Sequence, residues 1–238
     1  MKYETIIFDI DDTLFDFGKA EDHALRKAFE QFGLPSGATQ YKMSYKEFNK
    51  PLWRDLEKGL ITLQELGVER FRRLFVHHGL KIDATEFSRV FLEYLGQGTY
   101  LVPGAEELCN SLEDFQLAVI TNGFGQAQKA RIAGSPLADT FEQIIVSEEA
   151  GFQKPETGIF EYAFSKLGIA DKDKVLMVGD SLTSDIQGGL NFGLDTCWFN
   201  PHHKKNTSGV KPTYEIHRLQ DLLEIVDDNM DYLLTASS

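Results

Sequence analysis

Tyr3-Glu4-Thr5-Ile6-Ile7-Phe8-Asp9-Ile10-Asp11-Asp12-Thr13 is a short apolar run that ends abruptly in acidic residues. Its first half is β-branched and aromatic and reads as a buried strand. Its second half reads as the polar loop that opens at the strand's carboxyl end. Similar runs recur at residues 117–120, 144–146, 175–178 and 196–199, with helical patterns separating these last four. Alternation of this kind predicts an open parallel sheet of five or more strands with helices on both faces. In such sheets ligands bind outside the carboxyl ends of the strands, so the residues that terminate these runs are the first candidates for chemistry.

Residues 18–96 interrupt the alternation. Ala20, Ala24, Leu25, Ala28, Phe29 and Phe32 share one helical face. Thr62 with Glu65 forms a capping box ahead of Phe71, Leu74 and Phe75. Asp83 with Glu86 opens a further helix carrying Phe87, Val90, Phe91, Tyr94 and Leu95 on its inner side. Pro51 is expected to be the first residue of a new helix in the region between. The stretch is too long for a crossover and reads as an inserted helical domain. Residues 1–16 and 97–238 then form an α/β core, and residues 17–96 form the insert. The tail after about Tyr232, which ends in Ala and Ser, is expected to fray.

The 238 residues are 42% hydrophobic and 26% charged, enough for a core of ordinary density. A net charge of −13 repels nucleic-acid backbones and anionic membranes, which argues against a polyanion partner. A small anionic substrate is compatible with that charge only where a bound cation reverses the local field. Cys109 and Cys197 fit neither a zinc knuckle nor a redox pair and read as buried free thiols. The chain enters a strand at once, with no signal-peptide pattern, and no apolar run approaches the ~20 residues that span a bilayer. The expectation is a soluble cytoplasmic protein, monomeric by default.

Four polar clusters end four of the strands. Asp9 and Asp11, two residues apart, project to the same side. An isolated pair of this kind is more often a strand-ending turn, but as a pair they suit phosphoryl transfer. One carboxylate attacks phosphorus, and the other protonates the leaving oxygen and later activates water. Thr13 can hold a phosphate oxygen or fix the loop, and Asp12 reads as a turn residue. Thr121, Asn122 and Gly123 precede a helix expected near Gly125, which is an ordinary N-cap or an anion cradle. Lys154 stands before Pro155, expected to begin a helix, where a cation is out of place unless an anion faces it. Asp180 follows a wholly apolar strand. Asp185, in the first turn of the next helix, reads as an outer support of the same cluster. Oxygen-rich ligation of this kind is what magnesium prefers. Each cluster alone is weak. Together they supply a nucleophile, an acid/base, a phosphate cradle, a charge balancer and a metal seat.

With these residues in order, the chain resembles the haloacid dehalogenase (HAD) superfamily. Its motifs match Asp9/Asp11/Thr13, Thr121, Lys154 and Gly179-Asp180 with Asp185. The helical insert is similar to that superfamily's first type of cap. Asn49-Lys50-Pro51-Leu52-Trp53, Ile120-Thr121-Asn122-Gly123-Phe124, Ser147-Glu148-Glu149 and Thr196-Cys197-Trp198-Phe199-Asn200 resemble the YjjG-type pyrimidine 5′-nucleotidases. The resemblance implies a magnesium-dependent phosphomonoester hydrolase acting through an aspartyl-phosphate, with a nucleoside monophosphate as substrate. It implies Asp9 as nucleophile and Asp11 as general acid/base. Magnesium would be held by Asp9, the Asp11 carbonyl and Asp180, with Asp185 behind them. Phosphate would be held by Thr13, Thr121, Asn122, Gly123 and Lys154; Asn49 and Trp53 are the candidate substrate contacts of the insert, with Trp53 either stacking on a base or packing within the cap.

A sugar-phosphate phosphatase or a phosphosugar mutase would share the whole core. A haloacid dehalogenase would leave Asp11 and Asp180 without purpose, and a non-enzymatic scaffold predicts a gap in the catalytic set that the sequence does not contain. Gly123-Phe124-Gly125 is not a dinucleotide fingerprint, because Gln128 stands where its third glycine belongs. His78 continues an apolar helical face and reads as a core histidine. His202 and His203 are expected in a loop after the last strand.

Overall fold

The computed structural model describes residues 2–34 and 38–226; the tail expected to fray lies outside the described residues. In chain order the elements are β1 (Thr5–Phe8), α1 (Phe17–Gln31), α2 (Ala38–Glu57), α3 (Leu63–His78), α4 (Ala84–Gly96), α5 (Ala105–Ser111) and β2 (Gln116–Thr121). There follow α6 (Gly125–Ala133), β3 (Gln143–Val146), α7 (Ser147–Ala150), α8 (Thr157–Leu167), β4 (Val175–Gly179), α9 (Gln187–Phe192), β5 (Asp195–Phe199), β6 (Tyr214–Ile216) and α10 (Leu222–Val226). They divide into two compact units, described separately below.

The first unit comprises the described residues of Met1–Asp16, Leu101–Gly123 and Ser135–Ser238. Its sheet runs in the order β3-β2-β1-β4-β5-β6, and every neighbouring pair is parallel. β1 is central and buried along its whole length, which is why it reads as an unbroken apolar run rather than an alternating one. Phe8 is level with Val119 of β2 and with Val178 of β4. Asp9, the end of β2 and Asp180 therefore emerge together at one edge. Ile7, Ile120, Ile145, Val175 and Met177 form one sheet face and pack against Ile159, Phe160 and Ala163 of α8 and Phe192 of α9. β6, a three-residue strand at the sheet's edge, adds to the five read from sequence. Both cysteines are buried free thiols.

The second unit comprises Phe17–Tyr100 and Phe124–Gly134. α3 opens on the predicted capping box and ends at Gly79 in the left-handed conformation; Asp83 caps α4 by accepting from the N–H groups of Thr85 and Glu86. Ala20, Ala24, Leu25 and Ala28 pack with Phe71, Leu74, Phe87 and Phe91 in one core. His78 is only half-buried: its Nε2 lies 2.9 Å from Ser44 Oγ, and its ring meets Tyr41 edge-on.

Three local readings change. Pro51 lies inside α2 instead of starting a helix. The apolar face running through Tyr45, Leu52 and Leu56 continues across it, so packing outweighs the lost backbone donor. α8 begins at Thr157 with Glu156 as its N-cap, so Pro155 precedes the helix. Finally α6, which chain order places among the α/β residues, belongs with the helices: Ala127 joins their core and Arg131 Nε donates to Gly98 O at 3.1 Å. Among the described residues no helix is long and apolar enough to cross a membrane.

Candidate active site

The site grows out of the carboxyl ends of β1, β2 and β4 and lies wholly within the α/β unit. Asp9 directly follows β1, and its N–H donates to Val178 O at 2.9 Å, which prolongs the ladder by one residue. Beyond it the chain folds back on itself. The N–H groups of Leu14 and Phe15 both donate to Ile10 O, and that of Asp12 donates to Phe15 O at 2.8 Å. Asp12 takes a left-handed φ of 59° and is exposed, as expected of a turn residue. Asp11 is half-buried, and its charge is felt at Asp9. Thr13 is fully buried, yet its Oγ1 has no hydrogen-bond partner.

Lys154 organises the centre. It is 1% exposed, and its ammonium donates to Asp9 Oδ1 at 2.6 Å and to Ile120 O at 2.6 Å, and pairs with Asp185 Oδ1 at 2.7 Å. Three oxygens thus meet the three N–H donors an ammonium possesses. The residue is placed by Asn122, whose side-chain amide grips its backbone in both directions. Oδ1 accepts from Lys154 N–H at 2.8 Å, and Nδ2 donates to Lys154 O at 2.8 Å. The sequence points to Asn122 only as a cradle residue; its grip on Lys154 has no sequence signal beyond a short polar residue ending a strand. Thr121 Oγ1 accepts from Gly123 N–H at 3.0 Å and so shapes the same loop.

Asp185 sits in a single π-type turn, Leu182–Ile186, ahead of α9. Its Oδ2 accepts from Ser181 N–H at 3.0 Å while Oδ1 faces Lys154. A side chain at Gly179 would overlap the Asp185 carboxyl group, so glycine there is a condition of the approach. Trp198 Nε1–H donates to Asp180 O at 2.9 Å, fixing the backbone that carries the last carboxylate. Trp198 and Ser181 are contributors to which the sequence assigned no role, although Trp198 stands in one of the stretches that carry the resemblance.

Asp9, Asp180 and Asp185 bring carboxylate oxygens within 4.8 Å of one another. Burial pushes Asp9 up to about 8; Lys154 pulls against this, while Asp185 and Asp11 add to it. Asp180 is held well above the usual carboxylate range by burial and by Asp185 and Asp9. Burial works against the Lys154 charge, but Asp185 and Asp9 overcome it and hold the ammonium above the ordinary lysine value. One ammonium does not neutralise three clustered carboxyl groups, and the donors are all hard oxygens. That donor set fits a divalent cation such as magnesium, which would bring the carboxyl groups back down. Such an arrangement can hold a cation beside a carboxylate and present both to an electrophile.

Asn49 and Trp53 are four residues apart on α2, in the helical unit. Asn49 is buried with Oδ1 unpartnered, and Trp53 packs beside Leu52, Leu56 and Leu63. His202 and His203 lie exposed after β5, and the His203 ring lies 3.9 Å from that of His217, centroid to centroid, tilted by 39°.

The sequence profile of the haloacid dehalogenase-like hydrolases matches residues 3–193. The chain is 42% identical over 232 residues to the pyrimidine 5′-nucleotidase PynA of Streptococcus pneumoniae, spanning 97% of this chain and 98% of that one. It is 35% identical over 227 residues to the pyrimidine 5′-nucleotidase YjjG of Escherichia coli, spanning 95% and 99%. The crystal structure of the HAD-hydrolase YfnB of Bacillus subtilis bound to magnesium superposes with a TM-score of 0.89 at 39% identity, covering 95% of this chain and all of that one.

Proposed function

Because the chain belongs to the haloacid dehalogenase-like hydrolases, we propose that it is a magnesium-dependent phosphatase acting on pyrimidine nucleoside 5′-monophosphates. The observation that carries this reading is the buried ammonium of Lys154 held between Asp9 and Asp185, with Asp180 in the same cluster. A nucleophilic carboxylate must approach a phosphate dianion, and the fixed positive charge beside it makes that approach affordable. The nucleotide class is supported by the similarity to PynA and YjjG, both pyrimidine 5′-nucleotidases.

In the proposed reaction, Asp9 attacks phosphorus in line and Asp11 delivers a proton to the departing alkoxide, leaving an aspartyl-phosphate on Asp9. Asp11 then takes a proton from water, which attacks the acyl phosphate and regenerates Asp9. Lys154 neutralises charge on Asp9 and on the transferring phosphoryl group. Thr13 and the Thr121-Asn122-Gly123 loop hold the phosphate oxygens, and the unpartnered Thr13 Oγ1 is the clearest donor for that role. Asp9, the Asp11 carbonyl and Asp180 would hold magnesium, with Asp185 supporting them. When bound, the ion supplies charge neutralisation and Lewis acidity at phosphorus. Residues 17–96 would act as the cap that selects the leaving group, with Asn49 and Trp53 as its contacts.

The test is phosphate release from a panel of nucleoside monophosphates and sugar phosphates, with magnesium and with EDTA. Magnesium-dependent release concentrated on UMP, dUMP and dTMP is the expected result. Release from sugar phosphates alone would keep the chemistry and discard the nucleotide. Silence across the panel in metal-replete protein would overturn the proposal.

A further inference from the structure

The helical unit buries polar groups that its own packing leaves unanswered. Arg70, on α3, is 1% exposed, and its guanidinium carbon lies 5.0 Å from the Phe71 ring, 4.8 Å from Phe91 and 5.1 Å from Phe124. Nη1 donates to Tyr45 Oη at 3.2 Å and Nε to Gly67 O at 3.3 Å, but Nη2 has no partner. Tyr45 in turn shares a hydrogen bond with the buried Glu21. Asn49 is 8% exposed and lies one helical turn beyond Tyr45 on the same face of α2, and its Oδ1 is also unpartnered. A buried donor and a buried acceptor left unmade both weaken the fold, and native cores seldom keep such groups without use.

Their place in the unit is specific. On one side is the aromatic core of Tyr45, Phe71 and Phe91; on the other is the aliphatic cluster of Leu52, Leu56, Leu63 and Leu66. Phe124 borders both and is the only one of the rings named around Arg70 that is not fully buried. It is admitted there because residue 67 is glycine: a Cβ on Gly67 would stand 3.1 Å from the Phe124 ring. An acceptor, a donor and a partly exposed aromatic face together suit a flat ring whose edge offers an N–H beside a carbonyl.

We propose that Asn49 Oδ1 and Arg70 Nη2 bind the imide edge of a pyrimidine base, accepting from its ring N–H and donating to the neighbouring carbonyl, with Phe124 shifting to admit the ring. This rests on the nucleotide reading above and adds the residues that read the base. Uracil and thymine carry that edge. Cytosine presents a ring lone pair where they present N–H, so it leaves Oδ1 facing an acceptor.

The experiment compares kcat/KM for UMP and for p-nitrophenyl phosphate in wild type, Asn49→Leu and Arg70→Lys, with free uridine and cytidine as inhibitors. The melting temperature and circular dichroism spectrum of each preparation report that the variant is folded. The expected result is a fall of about tenfold or more in the UMP to p-nitrophenyl phosphate ratio in both variants, from the loss of one buried hydrogen bond each. Uridine should inhibit wild type about tenfold more strongly than cytidine, and that preference should disappear in Asn49→Leu. If wild type hydrolyses no pyrimidine nucleotide, the nucleotide reading falls and this inference with it. If wild type hydrolyses UMP and the ratio is preserved in both variants, or cytidine inhibits as well as uridine, only the base-reading assignment is overturned.

Discussion

Replacing Lys154 with methionine keeps most of the side-chain volume and removes the charge together with its three N–H donors. In the native protein its ammonium meets Asp9 at 2.6 Å, Asp185 at 2.7 Å and the Ile120 carbonyl at 2.6 Å, all in a site it occupies at 1% exposure. Water cannot take over those contacts. Breaking a buried pair from one side typically costs about 3–5 kcal/mol, because the remaining charge is stranded. At roughly 2–4 °C per kcal/mol for a chain of this size class, the melting temperature of Lys154→Met should fall by roughly 6–20 °C at pH 8. The stranded groups are carboxylates, which acid neutralises, so the deficit should shrink as the pH is lowered from 8 to 5. Calorimetric melting of both proteins in EDTA across that range is the assay. A melting temperature within about 2 °C of wild type at pH 8, well under the expected drop, would refute the reasoning, as would a deficit that does not change with pH.

Asp9→Asn should nearly abolish turnover while the protein stays folded; a variant retaining more than about a tenth of wild-type kcat, a loss under ~1.4 kcal/mol, would remove Asp9 as nucleophile. Thr13→Val removes a buried hydroxyl that has no partner, so thermal stability should hold or rise. Competitive inhibition by inorganic phosphate should meanwhile weaken roughly 10- to 100-fold; a lower melting temperature with an unaltered inhibition constant would count against the assignment. In the metal-free protein, Asp9 sits at about 8 when folded, against about 3.9 for an unfolded aspartate. The native state therefore holds a proton that the unfolded chain has lost, and stability falls as pH rises from about 4 to about 8. Magnesium competes with that proton, so the stabilisation it confers should grow over the same interval. Melting curves with magnesium and with EDTA between pH 5 and 8 check both slopes.

The strands and the polar residues at their ends were legible because a strand buried on both faces must be apolar throughout, so the point where it stops is sharp. Asp9, Thr121 and Asp180 are each marked by that change of character. What escaped was decided by packing over distance. Pro51 looks like a boundary locally, and only the apolar face shared with α3 carries the helix through it. The chain leaves the sheet at Thr121 as a βα turn should, yet α6 buries Ala127 among helices set by residues far upstream. Lys154 was expected at a helix start with an anion nearby. The anions were found, but the helix begins at Thr157 and the lysine is placed by the Asn122 amide instead. No periodicity records a side-chain amide closing on a backbone thirty-two residues away.

The central position of β1 also dictates an order of events during synthesis. β1 leaves the ribosome before the other described strands, but its partners are Gln116–Val119 and Val175–Val178. The contacts among α1, α2, α3 and α4 are made within residues 17–96 and can form while β1 still waits. Asp9 and Lys154, 145 residues apart, meet only once β1 is held in the sheet. Loop-closure entropy on that scale makes the cluster around Asp9 and Lys154 a late product of folding. Until β4 arrives, Thr-Ile-Ile-Phe presents an unpaired apolar edge of the kind that aggregates. A chain stalled before residue 175 therefore carries helices able to fold, an exposed strand edge and no assembled centre.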